Sequence, residues 1–391
     1  MRRLACILRT AVVGLVAVAA SGVGTATAAT GPATGATAQA VLVAQHGLGA
    51  APPSTRIGSP RAGNAAARVA ATALLPTSVD LRRWALTPGY QGPLNSCVPW
   101  VIDYALLGWY SNFAGRTGPP FAPMYTYSQI NGGGDYGSDP QVALDIAQAQ
   151  GTDTVAHYIK GDNWRHVPTA SERANAAKYK ITGYDILFSG ANESGVTTAL
   201  RTALAGHRPV AIKLAVRTGF DNLGSSPTAV DNDVASGIRG YHEVLAVGYD
   251  AAGLIVQNSW GTGWANRGFG RIAWRVVQKD VWEGETIRGL IPATPPTVRV
   301  AIARHSGPRL TPTTTPMTIT WSGTAGTSGP IVRYEAWYQV DANSRVALRL
   351  PSARPSAVRI TARIGHRYRI WVRARSATTV GAITSGSWFV A

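Results

Sequence analysis

The stretch "YHEVLAVGYDAAGLIVQNSWGTGW" runs from Tyr241 to Trp264. Two short apolar runs, "HEVLAVGYD" and "GLIVQNSW", flank the turn residues "DAAG", which is the pattern of two adjacent antiparallel strands. His242 opens the first run and Asn258 ends the second, sixteen positions later. Pairing the runs sets an imidazole beside a side-chain amide. An imidazole held in one orientation is a ready proton acceptor near neutral pH. A nucleophile for it to serve must therefore be sought elsewhere in the chain.

Only two cysteines exist, Cys6 and Cys97. Cys97 lies in "QGPLNSCVPW", Gln91 to Trp100, just before "VIDYALLGWYSNF", whose apolar residues fall at helical spacing. Pro99 suits a first helical turn, where its missing N–H costs nothing. Cys97 is thus expected at a helix N-terminus, where unpaired N–H groups and the positive end of the dipole favour a thiolate. A thiolate nucleophile needs a base, usually His. Of the other six histidines, His46 lies in a low-complexity segment, His157, His166 and His207 in central loops or turns, and His305 and His366 near the C-terminus. Further helices are expected at "PQVALDIAQAQG" and "SGVTTALRTALAG", and a further strand at "PVAIKLAV". Helices first and strands later give an α+β domain in two segregated halves.

"QGPLNSC", "YHEVLAVGYD" and "NSWGTGWANRGFGRI" resemble the three signature blocks of papain-like cysteine peptidases, over roughly Leu75 to Ile291. The resemblance implies a two-lobed domain, a helical half plus a β-barrel-like half, that hydrolyses peptide bonds. Carried onto this sequence, Cys97 is the nucleophile, paired as thiolate with the His242 imidazolium. Asn258 orients the imidazole, and Trp260 covers that contact from water. Gln91 joins the Cys97 N–H in the oxyanion hole. Gly137, in "NGGGDYGSD", aligns with a glycine that lends its backbone to substrate; that stretch lacks the EF-hand spacing for calcium. Neither a metal nor a cofactor is expected.

Several positions depart from the family pattern. Leu94 stands where the family has a half-cystine, and Val98 where it has Trp. Glu243 replaces a small apolar residue. One reading sets Glu243 at the cleft, favouring a basic side chain two residues before the scissile bond; the other turns it inward toward an arginine. No long, charged, helical prodomain precedes Leu75.

The first 28 residues carry three arginines and the apolar run "AVVGLVAVAA", and the small residues "ATAA", Ala26 to Ala29, mark the cleavage point, the pattern of a secretory signal. The apolar run is too short for a bilayer core of about 30 Å, and no later stretch is long enough. Residues 29–75 are rich in Ala, Gly, Thr, Ser and Pro, and read as a low-complexity linker or short propeptide. The resemblance places the papain-like domain at residues 76–292.

Beyond "PATPPT", residues 295–391 break into seven short alternating runs, the mark of a small all-β sandwich. "TITWSG", "VRYEAWYQV" and "IGHRYRIWVRAR" resemble a fibronectin type III domain, with Trp321 in its core and Tyr368 as a corner tyrosine. This region holds thirteen Arg, no Lys, one Glu and one Asp, and so carries most of the chain's net charge of +17. Such charge suits an acidic partner, for example a cell-wall polymer. No stacking motif points to nucleic acid. Two other readings remain: a cell-wall peptide hydrolase using the same Cys–His chemistry, and an inactive papain-fold binding or adhesive protein.

Overall fold

The computed structural model describes residues 46–52, 75–190, 195–301, 303–377 and 379–391. The expected signal segment, Cys6 and most of the expected linker lie outside these residues. Among the described residues, no helix is long and apolar enough to cross a membrane.

The helical half is built on α1, a continuous helical stretch of Cys97–Pro99, Trp100–Leu107 and Gly108–Phe113. Its middle segment widens to i→i+5 bonding, a geometry that clusters at functional sites. Val98, Val101, Ile102, Leu106, Leu107 and Trp109 are all buried. The apolar spacing thus continues round the helix, as a central helix needs. Around α1 lie α2 (Pro123–Ile130), α3 (Pro140–Ala149) and α4 (Ala170–Ala176). Asp139 caps α3 by accepting from the Gln141 N–H at 2.8 Å, with Pro140 at the first helical position. The third expected helix is α5 (Val196–Ala205).

The other half is an antiparallel sheet. Its strands are β1 (Val79–Asp80), β2 (Ile181–Ser189), β3 (Val210–Val216), β4 (Gly240–Tyr249), β5 (Gly253–Gln257), β6 (Phe269–Ala273) and β7 (Val281–Leu290). The order is β2-β7-β3-β4-β5-β6, with β1 on β4. β2 and β6 are the end strands of this order, and β6 takes one further parallel bridge on its outer side, Ile272 to Asp231. β4 and β5 are the two opening runs, paired from Leu245↔Gln257 to Tyr249↔Leu254. Every residue of β3 and β5 is buried, which explains runs that are apolar apart from Lys213 and Gln257.

Residues 297–390 form two further sheets. One holds β8 (Thr297–Val300), β9 (Arg304–His305), β10 (Thr314–Thr324) and β13 (Ala357–Arg363). The other holds β11 (Arg333–Val340), β12 (Val346–Leu348), β14 (Arg367–Arg375), β15 (Thr384–Ser385) and β16 (Phe389–Val390). Ile319, Trp321, Ala336, Val358, Ile370 and Val372 fill the space between them. The Tyr368 hydroxyl accepts the Arg363 N–H at 2.8 Å, closing a corner between β13 and β14. Thr117 reaches this module from the helical half, donating its N–H to Thr327 O at 3.3 Å.

Candidate active site

The α1 N-terminus meets β4 and β5 at a cleft between the two halves. β4 carries His242 in and β5 ends just before Asn258. His242 Nε2 lies 2.8 Å from Asn258 Oδ1. That oxygen also accepts the Ser259 N–H at 2.7 Å, which fixes the amide and assigns the imidazole proton to Nε2. Nδ1 keeps its lone pair as the basic atom. Trp260 lies on the His242 ring, centroids 4.8 Å apart, and is itself buried.

Gln91 is buried and held from both sides. Its N–H donates to Ser259 O at 2.8 Å, and Ser259 Oγ donates to its Oε1 at 2.6 Å. The Oε1 being occupied, the Gln91 NH2 group must point into the cleft. The stretch "NGGGDYGSD" forms one wall. Asp135 Oδ1 accepts the Asn95 N–H at 2.8 Å and so ties this wall to the turn before Cys97. Gly137 has φ +81°, and a Cβ there would lie 2.4 Å from Gly49 O.

The contact at Gly137 reveals a feature that composition concealed. His46–Ala51, inside the expected linker or propeptide, fills the cleft as an extended strap. Leu48 O accepts from the Cys97 N–H at 3.4 Å and from Gln91 Nε2 at 3.2 Å. Gly47 O accepts from Gln91 Nε2 at 3.1 Å and Trp260 Nε1 at 3.2 Å. Beyond Cys97, Gly49 O accepts the Ser138 N–H at 2.8 Å, the Ala51 N–H donates to Ser138 O at 3.0 Å, and the Ala50 N–H donates to Tyr241 O at 3.3 Å. The two glycines are required. A Cβ on Gly47 would lie 2.1 Å from Leu94 O, and one on Gly49, at φ +104°, 2.1 Å from Asn95 O. At the strap's start, His46 stacks on Trp260 at 5.0 Å and meets Tyr90 edge-on at 5.8 Å.

Under the strap Cys97 and His242 are both fully buried. Burial pushes the Cys97 thiol far up, the Glu243 charge adds to this, and Lys213 opposes it. Burial pushes His242 down to about 3, against the pull of the Asn258 hydrogen bond. Both shifts favour the neutral form of the group while the strap is in place. The cause is loss of water from the covered cleft. Among the described residues, His242 Nδ1 has no hydrogen-bond partner.

Glu243 is fully buried on the sheet and sits cross-strand from Lys213, so the inward reading named the wrong cation: the partner is a lysine, not an arginine. Lys213 Nζ in turn donates to Glu283 at 2.7 Å. Glu285, two residues on, is also fully buried, and among the described residues neither it nor Glu243 has a hydrogen-bond partner for its carboxylate oxygens. Ser259, Lys213, Glu285 and the strap escaped the sequence reading. The strap left one signal, the two glycines of "HGLGA".

A helical half and an antiparallel sheet with this cleft between them define the class. The fold matches xylellain, a cysteine protease from Xylella fastidiosa, with TM-score 0.51 and 19% identity over 62% of this chain and 96% of that one. It also matches a digestive procathepsin L2 proteinase from Tenebrio molitor, with TM-score 0.50 and 20% identity over 63% and 79%. The sequence signature of the papain family cysteine proteases matches residues 127–283. Over those residues the chain is similar to the papain family cysteine proteases. That match includes His242 and Asn258 but begins after Cys97. A cathepsin L-like proteinase from Fasciola hepatica is 36% identical over 98 residues, 24% of this chain. The chain spans only 28% of that relative's length.

Proposed function

We propose that the chain is an exported cysteine peptidase that cleaves peptide bonds with Cys97 as nucleophile and His242 as base and then acid. Asn258 keeps the His242 proton on Nε2, leaving Nδ1 to take the thiol proton once the cleft is hydrated. Thiolate attack on the substrate carbonyl develops an oxyanion, which the Cys97 N–H and Gln91 Nε2 stabilise. The His242 imidazolium then gives its proton to the leaving amine, and water hydrolyses the acyl-enzyme with His242 again as base. The single observation carrying this reading is a peptide carbonyl, that of Leu48, accepting from both oxyanion donors beside His242.

The same contacts support a latent state. While the strap fills the cleft, no other peptide carbonyl can reach the donors and both reacting groups stay dry and neutral. Gly137 and Trp260, which border the strap, are the proposed walls for an extended substrate. The appended sandwich, with its buried Trp321 and its Tyr368 corner, is proposed to be fibronectin type III-like.

The test is titration with a thiol-directed epoxide, alongside casein cleavage, on the chain as it stands and on one beginning at Leu75. Stoichiometric labelling at Cys97 and cleavage are expected in the shortened chain, both slow in the longer one and absent in Cys97→Ala. A folded shortened chain that neither labels nor cleaves would leave the binding-scaffold reading.

A further inference from the structure

The C-terminal sandwich builds a row of guanidinium groups onto one sheet face. Along β14, Tyr368, Ile370, Val372 and Ala374 point into the core, so Arg367, Arg369, Trp371 and Arg373 point outward by alternation. The outward groups interleave. Arg345 lies over Trp371 at 4.3 Å, Arg369 lies between Trp371 at 5.5 Å and Trp388 at 6.0 Å, and Arg367 lies over Trp388 at 5.2 Å. Trp371 is only 7% exposed on this outward face, because the arginines cover it. Arg369 is further fixed by donating to Gly386 O at 3.1 Å and Ser385 Oγ at 2.8 Å.

Among the described residues no ion pair engages Arg345, Arg367 or Arg369. By contrast, Glu335 is taken by Arg333, Arg373 and Arg375. The nearby Asp341 carboxylate is taken by His366 Nδ1 at 2.7 Å and the Arg367 N–H at 2.8 Å. Three planar cations thus stand ordered by stacking: Arg369 spends one N–H edge on Gly386 O and Ser385 Oγ, and Arg345 and Arg367 keep theirs for a bidentate acceptor. Less side-chain entropy is lost when such pre-ordered groups meet a ligand.

We propose that this face binds a linear acidic polysaccharide through the carboxylates on its sugar units. Outward residues repeat roughly every 7 Å along a strand, which suits a chain of repeated charges more than one small anion. Single-stranded nucleic acid needs open aromatic platforms, and here the tryptophan faces are covered by guanidinium groups. A flat sheet face also offers no element to enter a duplex groove.

The test uses the full chain and polygalacturonate, followed by tryptophan fluorescence at low and moderate salt. Binding is expected to weaken at least tenfold when Arg345, Arg367 and Arg369 are all changed to Gln. A charge-matched control, Arg299, Arg309 and Arg354 to Gln on other surfaces, is expected to change affinity by less than about twofold, as surface charges away from a site do. Changing the first three to Lys keeps the charge but loses the stack, and a severalfold loss is expected. Near-UV circular dichroism checks that each variant keeps its tertiary packing. Equal losses in the two Gln variants, or wild-type binding by the Lys variant, would overturn the proposal. So would tighter binding of polyuridylate or polyphosphate than of polygalacturonate, or no binding at low salt.

Discussion

Gln91 shows how one side chain becomes an oxyanion donor. Its own backbone and Ser259 Oγ leave the amide one orientation, so the donor is fixed before any substrate arrives. Removing it, Gln91→Ala, is expected to lower kcat by about 10²–10³ in the strap-free enzyme. Ser259→Ala frees the amide to rotate and should cost less, about tenfold in kcat, with KM little changed. Steady-state kinetics on a fluorogenic peptide separate the two. His46 is the residue that gives the strap a pH response. Burial and then the Arg239 charge hold it below its ordinary 6.5, while Asp221, paired to Arg239 at 2.6 Å, pulls it up. Its neutral form is thus the one that fits against Trp260 and Tyr90. The stabilisation of the strap is complete above about 6.5, the value of free His46, and is lost as pH falls toward the lowered value. Epoxide labelling of the full chain, taken relative to the strap-free enzyme, should therefore quicken as pH falls from 7 to 5. His46→Phe should flatten that dependence; an unchanged dependence would remove His46 from the response.

Among the elements, the strap depends on backbone shape more than on side chains. A methyl group at Gly49 meets Asn95 O and demands a left-handed conformation that L-residues avoid. Gly49→Ala is expected to label at Cys97 at a rate approaching that of the strap-free chain at pH 7, and mass spectrometry of the adduct reads it. The sequence treated this segment by composition, and six residues with two glycines carry no periodicity to mark them. β7 was missed for a different reason. "VWEGETIRGL" holds Glu283, Glu285 and Arg288 and reads as surface, yet it lies between β2 and β3 with Glu283 and Glu285 buried. A lysine from β3, seventy positions earlier, receives it. The period-two pattern of "RYRIWVRAR" was legible as a strand, but which tryptophans its arginines cover depends on Arg345 and Trp388, which lie outside it.

In the whole molecule, the two halves meet over a charged floor. Lys213→Met would leave Glu243, Glu283 and Glu285 buried without their cation, and is expected to cost about 3–5 kcal/mol in urea unfolding. Glu285 is pushed well above its ordinary 4.5, first by burial and then by the Glu243 and Glu283 charges. Its folded pKa is raised, so the stability linked to it is whole below about 4.5 and falls as pH climbs through the raised value. Glu285→Gln should leave Tm unchanged at pH 4 and raise it at pH 8 by a few degrees, at ~2–4 °C per kcal/mol. Differential scanning calorimetry at the two pH values checks this.

The sequence by itself determined what local periodicity and short spacing encode. These are the helix that begins at Cys97, the hairpin that sets His242 against Asn258, and the alternation that makes residues 297–390 a β sandwich. Each follows from the backbone rules of one element or one turn. The tertiary structure alone decided the rest: the strap over the thiol, the Ser259 hold on Gln91, the Lys213 floor and the covering of the tryptophans by arginine. These join residues from distant parts of the chain, such as Gly47 with Trp260 and Ser259 with Gln91. Their energies come from desolvation and from hydrogen bonds that exist only once the segments meet.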